Sequence, residues 1–294
     1  MTDTSLPAAA NATSAAKVRS GVPANPLALV RRALVYLLLS IAAFVSVFPF
    51  FWMIVGATNK SADIIRGKNG FGTELFNNAA TFFTQVDALR VFWNSAFIAV
   101  VGTALTLVIS SLAGYGFEMF RSRVRERLFA LLLLLLSIPF AALMVPLFVM
   151  FSQAKLVNTY TAVILPTVAS IFIIFYFRQA TKAFPSELRD AAKIDGLKEW
   201  QIFFFVYMPV MRSTYAAATI IIFMANWNNY LWPLIVLQTA ENKTITLIVS
   251  ALTSAYTPDY GMTLFATVLA TLPTLIIFFL LQRRFVEGML GAVK

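Results

Sequence analysis

Glu187, Arg189, Asp190, Lys193 and Asp195 sit together on the stretch Glu187-Leu188-Arg189-Asp190-Ala191-Ala192-Lys193-Ile194-Asp195-Gly196, closed downstream by Val206-Tyr207-Met208-Pro209. Mixed charge on helix-forming residues suits ion pairing and hydrogen bonding with another protein surface. Covalent chemistry is poorly served. The chain has neither cysteine nor histidine, which removes disulfides, thiolate nucleophiles, imidazole bases and the usual zinc ligands together. A phosphate-binding G-x-x-x-x-G-K-[ST] loop is also missing, because Gly67-Lys68 lacks the upstream glycine and the following hydroxyl residue. No paired acids fall within an apolar run, so a membrane enzyme would lack its catalytic constellation. No catalytic, cofactor-binding or metal-ligating residue is expected on this chain.

Local rules place the charged stretch on a helical hairpin. Ser186, after Pro185, can cap the first helix, with Glu187 and Asp190 near the positive end of its dipole. Leu188, Ala191, Ala192 and Asp195 recur at i, i+3, i+4 and i+7, one helical face. The two alanines on it leave room for a partner backbone to approach. Gly196 supplies the left-handed residue that ends the helix. A second short helix, from Lys198 to about Tyr207, carries Trp200, Phe203, Phe204 and Phe205 until Pro209 stops it.

The elements around this hairpin belong in a bilayer. Of 294 residues, 60% are hydrophobic and 12% charged, with a mean hydropathy of +0.79. Soluble domains carry about a quarter charged residues. Uncharged runs of 18 or more residues cover 33–59, 91–117, 128–154, 156–177, 213–240 and 260–282. The next longest, 244–258, has 15 residues, short of the ~20 that cross a bilayer core. An all-α integral membrane fold follows, with six transmembrane helices and the hairpin, 178–212, between spans four and five. Barrel strands would alternate instead. Both termini placed in the cytoplasm put 17 of the 23 Lys and Arg residues inside, as the positive-inside rule favours. The basic excess thus reports topology and implies no nucleic-acid partner.

Residues 1–30 read as a disordered cytoplasmic segment, 31–284 as the transmembrane domain and 285–294 as a cytoplasmic tail. Arg31-Arg32 and the run behind them form a signal anchor, since that run is too long for a cleaved signal. Arg121, Arg123, Arg125 and Arg127 alternate between spans two and three, as a topology anchor against anionic lipid does. The external 60–90 segment ends in an amphipathic stretch, Phe82, Phe83, Val86 and Leu89, expected to lie at the interface. Proline punctuates five of the six runs, and span two instead carries Ser110-x-x-x-Gly114 and Gly116 for close helix approach. No run holds an ionisable residue. Coupling-ion carriers keep such groups at membrane depth, so the energy for uphill transport is expected from another subunit.

Asp190-Ala191-Ala192, three residues, Gly196, nine residues, then Val206-x-Met208-Pro209 resembles the EAA loop of permease subunits in ABC importers. Asp, Val and Met stand where the loop usually has Glu, Ile and Leu. Trp227-Asn228-Asn229-Tyr230 with Pro233-Leu234, the external Thr244-Ile245-Thr246-Leu247, and the tail from Gln282 to Lys294 are similar to the maltose-permease type of carbohydrate importer, in particular its six-span second permease. The resemblance covers almost all of the chain beyond residue 30. It implies a bacterial inner-membrane, multi-pass subunit that pairs with a second permease, two ATPase subunits and an extracytoplasmic solute-binding protein. ATP and Mg would then sit on the ATPases, with no cofactor on this chain. Glu187, Asp190, Ala191, Ala192, Asp195, Gly196 and Pro209 would form the ATPase-coupling element, and the tail near 288–294 would reach the same interface. The external 238–262 loop, with Asn242, Thr244, Thr246 and Tyr256, would meet the binding protein.

Asn226, Trp227, Asn228, Asn229 and Trp232 are the sugar-path candidates, since amides pair with hydroxyls and indole faces suit sugar rings. The same residues could instead serve interhelical hydrogen bonding and interfacial anchoring. The function expected is the pore subunit of an ATP-driven importer for a disaccharide or oligosaccharide. A glycerol-phosphate ester or other polyol is the other cargo within that family. A stand-alone carrier or channel is the competing class.

Overall fold

Proline and polar breaks cut the long apolar runs into shorter helices. The computed structural model describes residues 26–291, and all regular structure among them is helical. The segment 1–25 and the last three positions of the tail, 292–294, lie outside the described residues, as do the side chains of 286–291. The helices are α1 (Pro26–Ala57), α2 (Ser61–Ile65), α3 (Leu75–Gln85), α4 (Ala88–Met119), α5 (Arg123–Leu135), α6 (Phe140–Gln153), α7 (Tyr160–Val168) and α8 (Ile171–Thr181). There follow α9 (Ser186–Ile194), α10 (Glu199–Gln201), a π-helical turn (Ile202–Tyr207), α11 (Met208–Val210), α12 (Arg212–Trp227), α13 (Leu231–Val236), α14 (Ile245–Thr253) and α15 (Tyr260–Gly291). α1 already begins at Pro26, within the 1–30 segment that composition reads as unstructured.

The chain forms two compact units, Met1–Pro49 and Phe50–Lys294. The first holds the early turns of α1, where Ser46 Oγ donates to the Ala42 carbonyl at 2.8 Å. Everything below concerns the second. Three helices are long and apolar enough to cross a membrane, and three bent pairs bring the number to as many as six. α5 and α6 meet at 99°, α7 and α8 at 40°, and Glu199–Val210 meets Arg212–Val236 at 82°. Pro139, extended at the start of α6, makes the sharpest bend, because it neither donates in a helix nor lets its predecessor stay helical.

α4 is the central post, packed against α7, α8 and α12. A side chain at Gly114 would come within 2.6 Å of Phe177 Cβ and 2.8 Å of the Arg178 backbone nitrogen, so the backbones of α4 and α8 approach closely there. Gly116 has open space beside it and plays no such part. The amphipathic 75–85 helix does not lie loose at the interface. Asn78 Nδ2 ties it to the Ala57 and Asn59 carbonyls at 2.8 and 3.1 Å, and Phe82 is buried against Phe265 of α15.

Candidate functional site

The charged stretch folds as α9, with one shift at each end. Pro185 takes the capping position and Ser186 is the first helical residue, without a side-chain cap bond. At the other end the Leu197 N–H donates to the Ala192 carbonyl and the Gly196 N–H to the Lys193 carbonyl, each at 3.0 Å. With Gly196 at φ +81° this is a Schellman ending. Pro209 does not stop the second helix. The chain widens into the π turn over Ile202–Tyr207 and carries Pro209 in the first turn of α11, breaking only at Met211. A π turn relieves the clash between a proline ring and the carbonyl four residues before it.

Of the face that spacing suggests, Leu188, Ala191 and Asp195 are exposed, while Ala192 is buried on the side of the helix that packs against the π turn. Glu187, Asp190, Ala191 and Ile194, also at i, i+3, i+4 and i+7, are exposed as well. Ile194 is 88% exposed, an apolar residue standing in water on a charged helix. Asp195, the C-terminal capping residue, is exposed beside it.

Glu199 ties α9 to the turn that follows it. Its carboxylate receives Arg189 Nη2 at 2.6 Å and Arg189 Nε at 3.3 Å, and Lys193 Nζ lies 2.9 Å away. Burial pushes the Glu199 carboxyl up, but the bonds from Arg189 and Lys193 outweigh this and hold it below the usual carboxylate value. From α4, Tyr115 Oη donates to the same carboxylate at 3.3 Å. The Tyr115 ring packs 4.8 Å from Tyr207 and 5.3 Å from Phe203, and the Arg189 guanidinium lies 5.0 Å over Phe120. Tyr115, Phe184, Phe203, Tyr207 and Met211 form a small core of their own. The hairpin therefore packs directly on the end of α4. Neither Tyr115 nor Glu199 carries a motif or a periodic spacing, so no sequence signal points to them.

A second charged cluster closes the same end of the bundle. Arg178 on α8, 7% exposed, reaches Glu118 of α4 at 3.3 Å and Glu126 of α5 at 2.6 Å. Its guanidinium also lies 4.0 Å over the Phe129 ring. Glu118 is buried and pairs with Arg121 as well. Of the alternating arginines, Arg121 and Arg125 are thus tied to the protein, Arg125 through the Phe120 carbonyl.

The sugar-path candidates separate into two groups. Trp232 is fully buried and its Nε1 donates to the Ala162 carbonyl at 2.7 Å. Pro166, four residues on, is what leaves that carbonyl without its helical donor. Trp227 is buried too, donating to the Ala270 carbonyl at 2.9 Å beside the Pro273 kink of α15. The Trp232 indole serves a proline-orphaned carbonyl, and the Trp227 indole joins α12 to α15. We expect Trp232→Phe to lower stability by about 1–3 kcal/mol through the orphaned carbonyl, read as a fall in melting temperature in detergent; an unchanged melting temperature would contradict this role. Asn228 is exposed and bonds the Met224 carbonyl at 2.9 Å. Asn226 and Asn229 line a cavity of about 360 Å³. In the 238–262 segment, Asn242 and Thr246 donate to the Asn158 and Trp227 carbonyls, at 2.8 and 2.9 Å. Thr244 is buried, and Tyr256 is fully exposed.

Residues 106–291, which span α8, the hairpin and α12, match the family described as binding-protein-dependent transport system inner membrane component. The chain belongs to this family. Among relatives of this inner membrane component, the lactose transport system permease protein LacG of Rhizobium radiobacter is 68% identical over 259 residues, covering 88% of this chain and 95% of the relative. The arabinooligosaccharides transport system permease protein AraQ of Halalkalibacterium halodurans is 37% identical over 260 residues, 86% of this chain and 92% of the relative. In fold, the chain resembles one from the crystal structure of a bacterial ABC transporter involved in the import of the acidic polysaccharide alginate. That match has a TM-score of 0.78 at 18% identity, covering 89% of this chain and 98% of the other. The protein is a transport component built on the ABC importer permease fold.

Proposed function

We propose that this chain is the six-span second permease of a sugar importer, with both termini in the cytoplasm and the hairpin as the element an ATPase moves. The observation that carries the reading is the two-sided build of α9. Its inner side is locked to α4 through Arg189, Glu199 and Tyr115. Its outer side, Glu187, Asp190, Ala191 and Ile194, is exposed, and its side chains make no hydrogen bond or ion pair among the described residues. A push on that outer face is passed to α4, and from α4 to α7, α8 and α12 packed around it. ATP and Mg act on two partner ATPases, and a second permease completes the pore. A solute-binding protein delivers the cargo at the opposite face, where Tyr256 is the exposed contact among the loop candidates. The relatives named for lactose and arabinooligosaccharides support a sugar as cargo.

The test is Ala191→Trp, which enlarges the exposed face and disturbs no core. Co-purification in mild detergent is expected to lose the ATPases, with association weakened at least about tenfold, or about 1.4 kcal/mol. The chain itself should insert and melt as before. Normal uptake with normal ATPase retention would overturn the docking role.

A further inference from the structure

α7 and α8 are one uninterrupted apolar run in the sequence, yet the chain leaves the helix between Val168 and Ile171. Irregular backbone at membrane depth survives where it is buried in protein or lines a wet cavity. Here the break, at Ser170, forms part of the wall of the 360 Å³ cavity, near the lower end of the ~300–1,000 Å³ range of small-molecule pockets. Polar ends reach that wall from three helices and the break: Thr106 of α4, Thr167 of α7, Ser170, and Asn226 of α12, with Asn229 just beyond it. Phe140 and Phe172 give it aromatic surface.

Several of these polar ends are unspent. Thr106 and Thr167 donate to backbone carbonyls. Ser170 Oγ accepts from the Ile173 N–H at 3.4 Å, which leaves its own hydrogen free to donate. The Asn226 side chain makes one long bond, Nδ2 to Thr103 Oγ1 at 3.4 Å, and its Oδ1 takes no donor among the described residues. Among the same residues the Asn229 side chain has no hydrogen-bond partner, although it is half-buried. No ionisable residue lines the cavity.

We propose that this cavity is a subsite for one neutral sugar ring of the cargo, carried by this subunit itself. Ser170 donates to a ring hydroxyl, the Asn226 carbonyl oxygen accepts from one, and Asn229 does either; Phe140 and Phe172 cover the apolar ring face. The same wall discriminates against a phosphate ester. Such a group brings close to two negative charges, and no cation in the lining offsets their desolvation. The inference rests on the sugar-importer reading and adds the place and the charge of the bound group.

The complete importer, with its partner permease, ATPases and binding protein, is reconstituted in proteoliposomes and given radiolabelled lactose. Ala225→Trp, which fills the cavity from its wall, is expected to cut uptake at least about tenfold with basal ATPase activity retained. Wild-type uptake by Ala225→Trp overturns the subsite and leaves the importer reading standing. If the tryptophan variant does not assemble, Asn229→Ala decides. Its KM for lactose should rise at least about threefold at unchanged kcat, and an unchanged KM overturns the proposal. A wild-type complex that moves no lactose overturns the lactose-type cargo, and the neutral subsite with it. The chain has no cysteine, so Ser170→Cys is a unique thiol on it. Lactose should slow its labelling by a water-soluble methanethiosulfonate while glycerol 3-phosphate should not; equal effects of the two overturn the charge selectivity.

Discussion

Gly196→Pro is expected to reduce ATP-driven uptake by at least about tenfold while the chain still inserts in the membrane. Gly196 stands at φ +81°, and proline is locked near −65°. The substitution also deletes the N–H that donates to the Lys193 carbonyl. Together these remove the Schellman ending of α9, at about 3 kcal/mol or more. Steric crowding plays no part, because nothing lies within 4 Å of where a Cβ would stand. Backbone conformation and the lost N–H therefore decide the outcome. Gly196→Asn is the control, since asparagine enters the left-handed region at modest cost, and it should keep most of the uptake. Uptake in cells normalised to membrane-inserted protein reads both variants. Equal loss in the two would mean that the turn's shape is not what matters.

Arg178→Met is expected to have the largest effect on stability. The change leaves Glu118 buried with only the more exposed Arg121 beside it. Removing one partner of a buried pair costs about 3–5 kcal/mol, and retention of Arg121 favours the lower figure. At ~2–4 °C per kcal/mol for a domain of this size, the melting temperature in detergent should fall by about 10 °C. Arg178→Met with Glu118→Gln removes the stranded charge and should recover at least half of that fall. Glu126, half-exposed, stays solvated and needs no compensation. Arg178→Lys should remain well below wild type, because an ammonium cannot span Glu118, Glu126 and the Phe129 face at once. A double variant no more stable than the single one would show that the charge itself is not the cause.

The elements governed by local rules were legible in the sequence. Apolar runs, the charged hairpin and the left-handed Gly196 each depend on neighbours a few residues away. The EAA-type spacing led to the family, which the match over 106–291 and the close relatives support. The inner anchoring of α9 was not legible, because Glu199 pairs with Arg189 across the turn and with Tyr115 from 84 positions away. Pro139 lies at the bend of span three, but span four breaks beyond Pro166, and the 99° and 40° angles depend on packing that no local pattern encodes. The partners of Trp227 and Trp232 were not legible either. Their types fitted a sugar path or interhelical bonding equally, and the carbonyl Trp232 bonds lies 70 positions earlier in the chain. Ile194 could have been noticed, since an isoleucine one helical repeat after Glu187 is out of place on a solvated helix.

The most direct measurement purifies this chain with its partners in mild detergent, reconstitutes them with the binding protein, and follows labelled sugar into liposomes with and without ATP. The account predicts stoichiometric recovery of a second permease and an ATPase, with uptake only when ATP is present. A chain that arrives alone and moves solute without ATP would contradict it, and would make the hairpin an ordinary connector in a self-sufficient carrier.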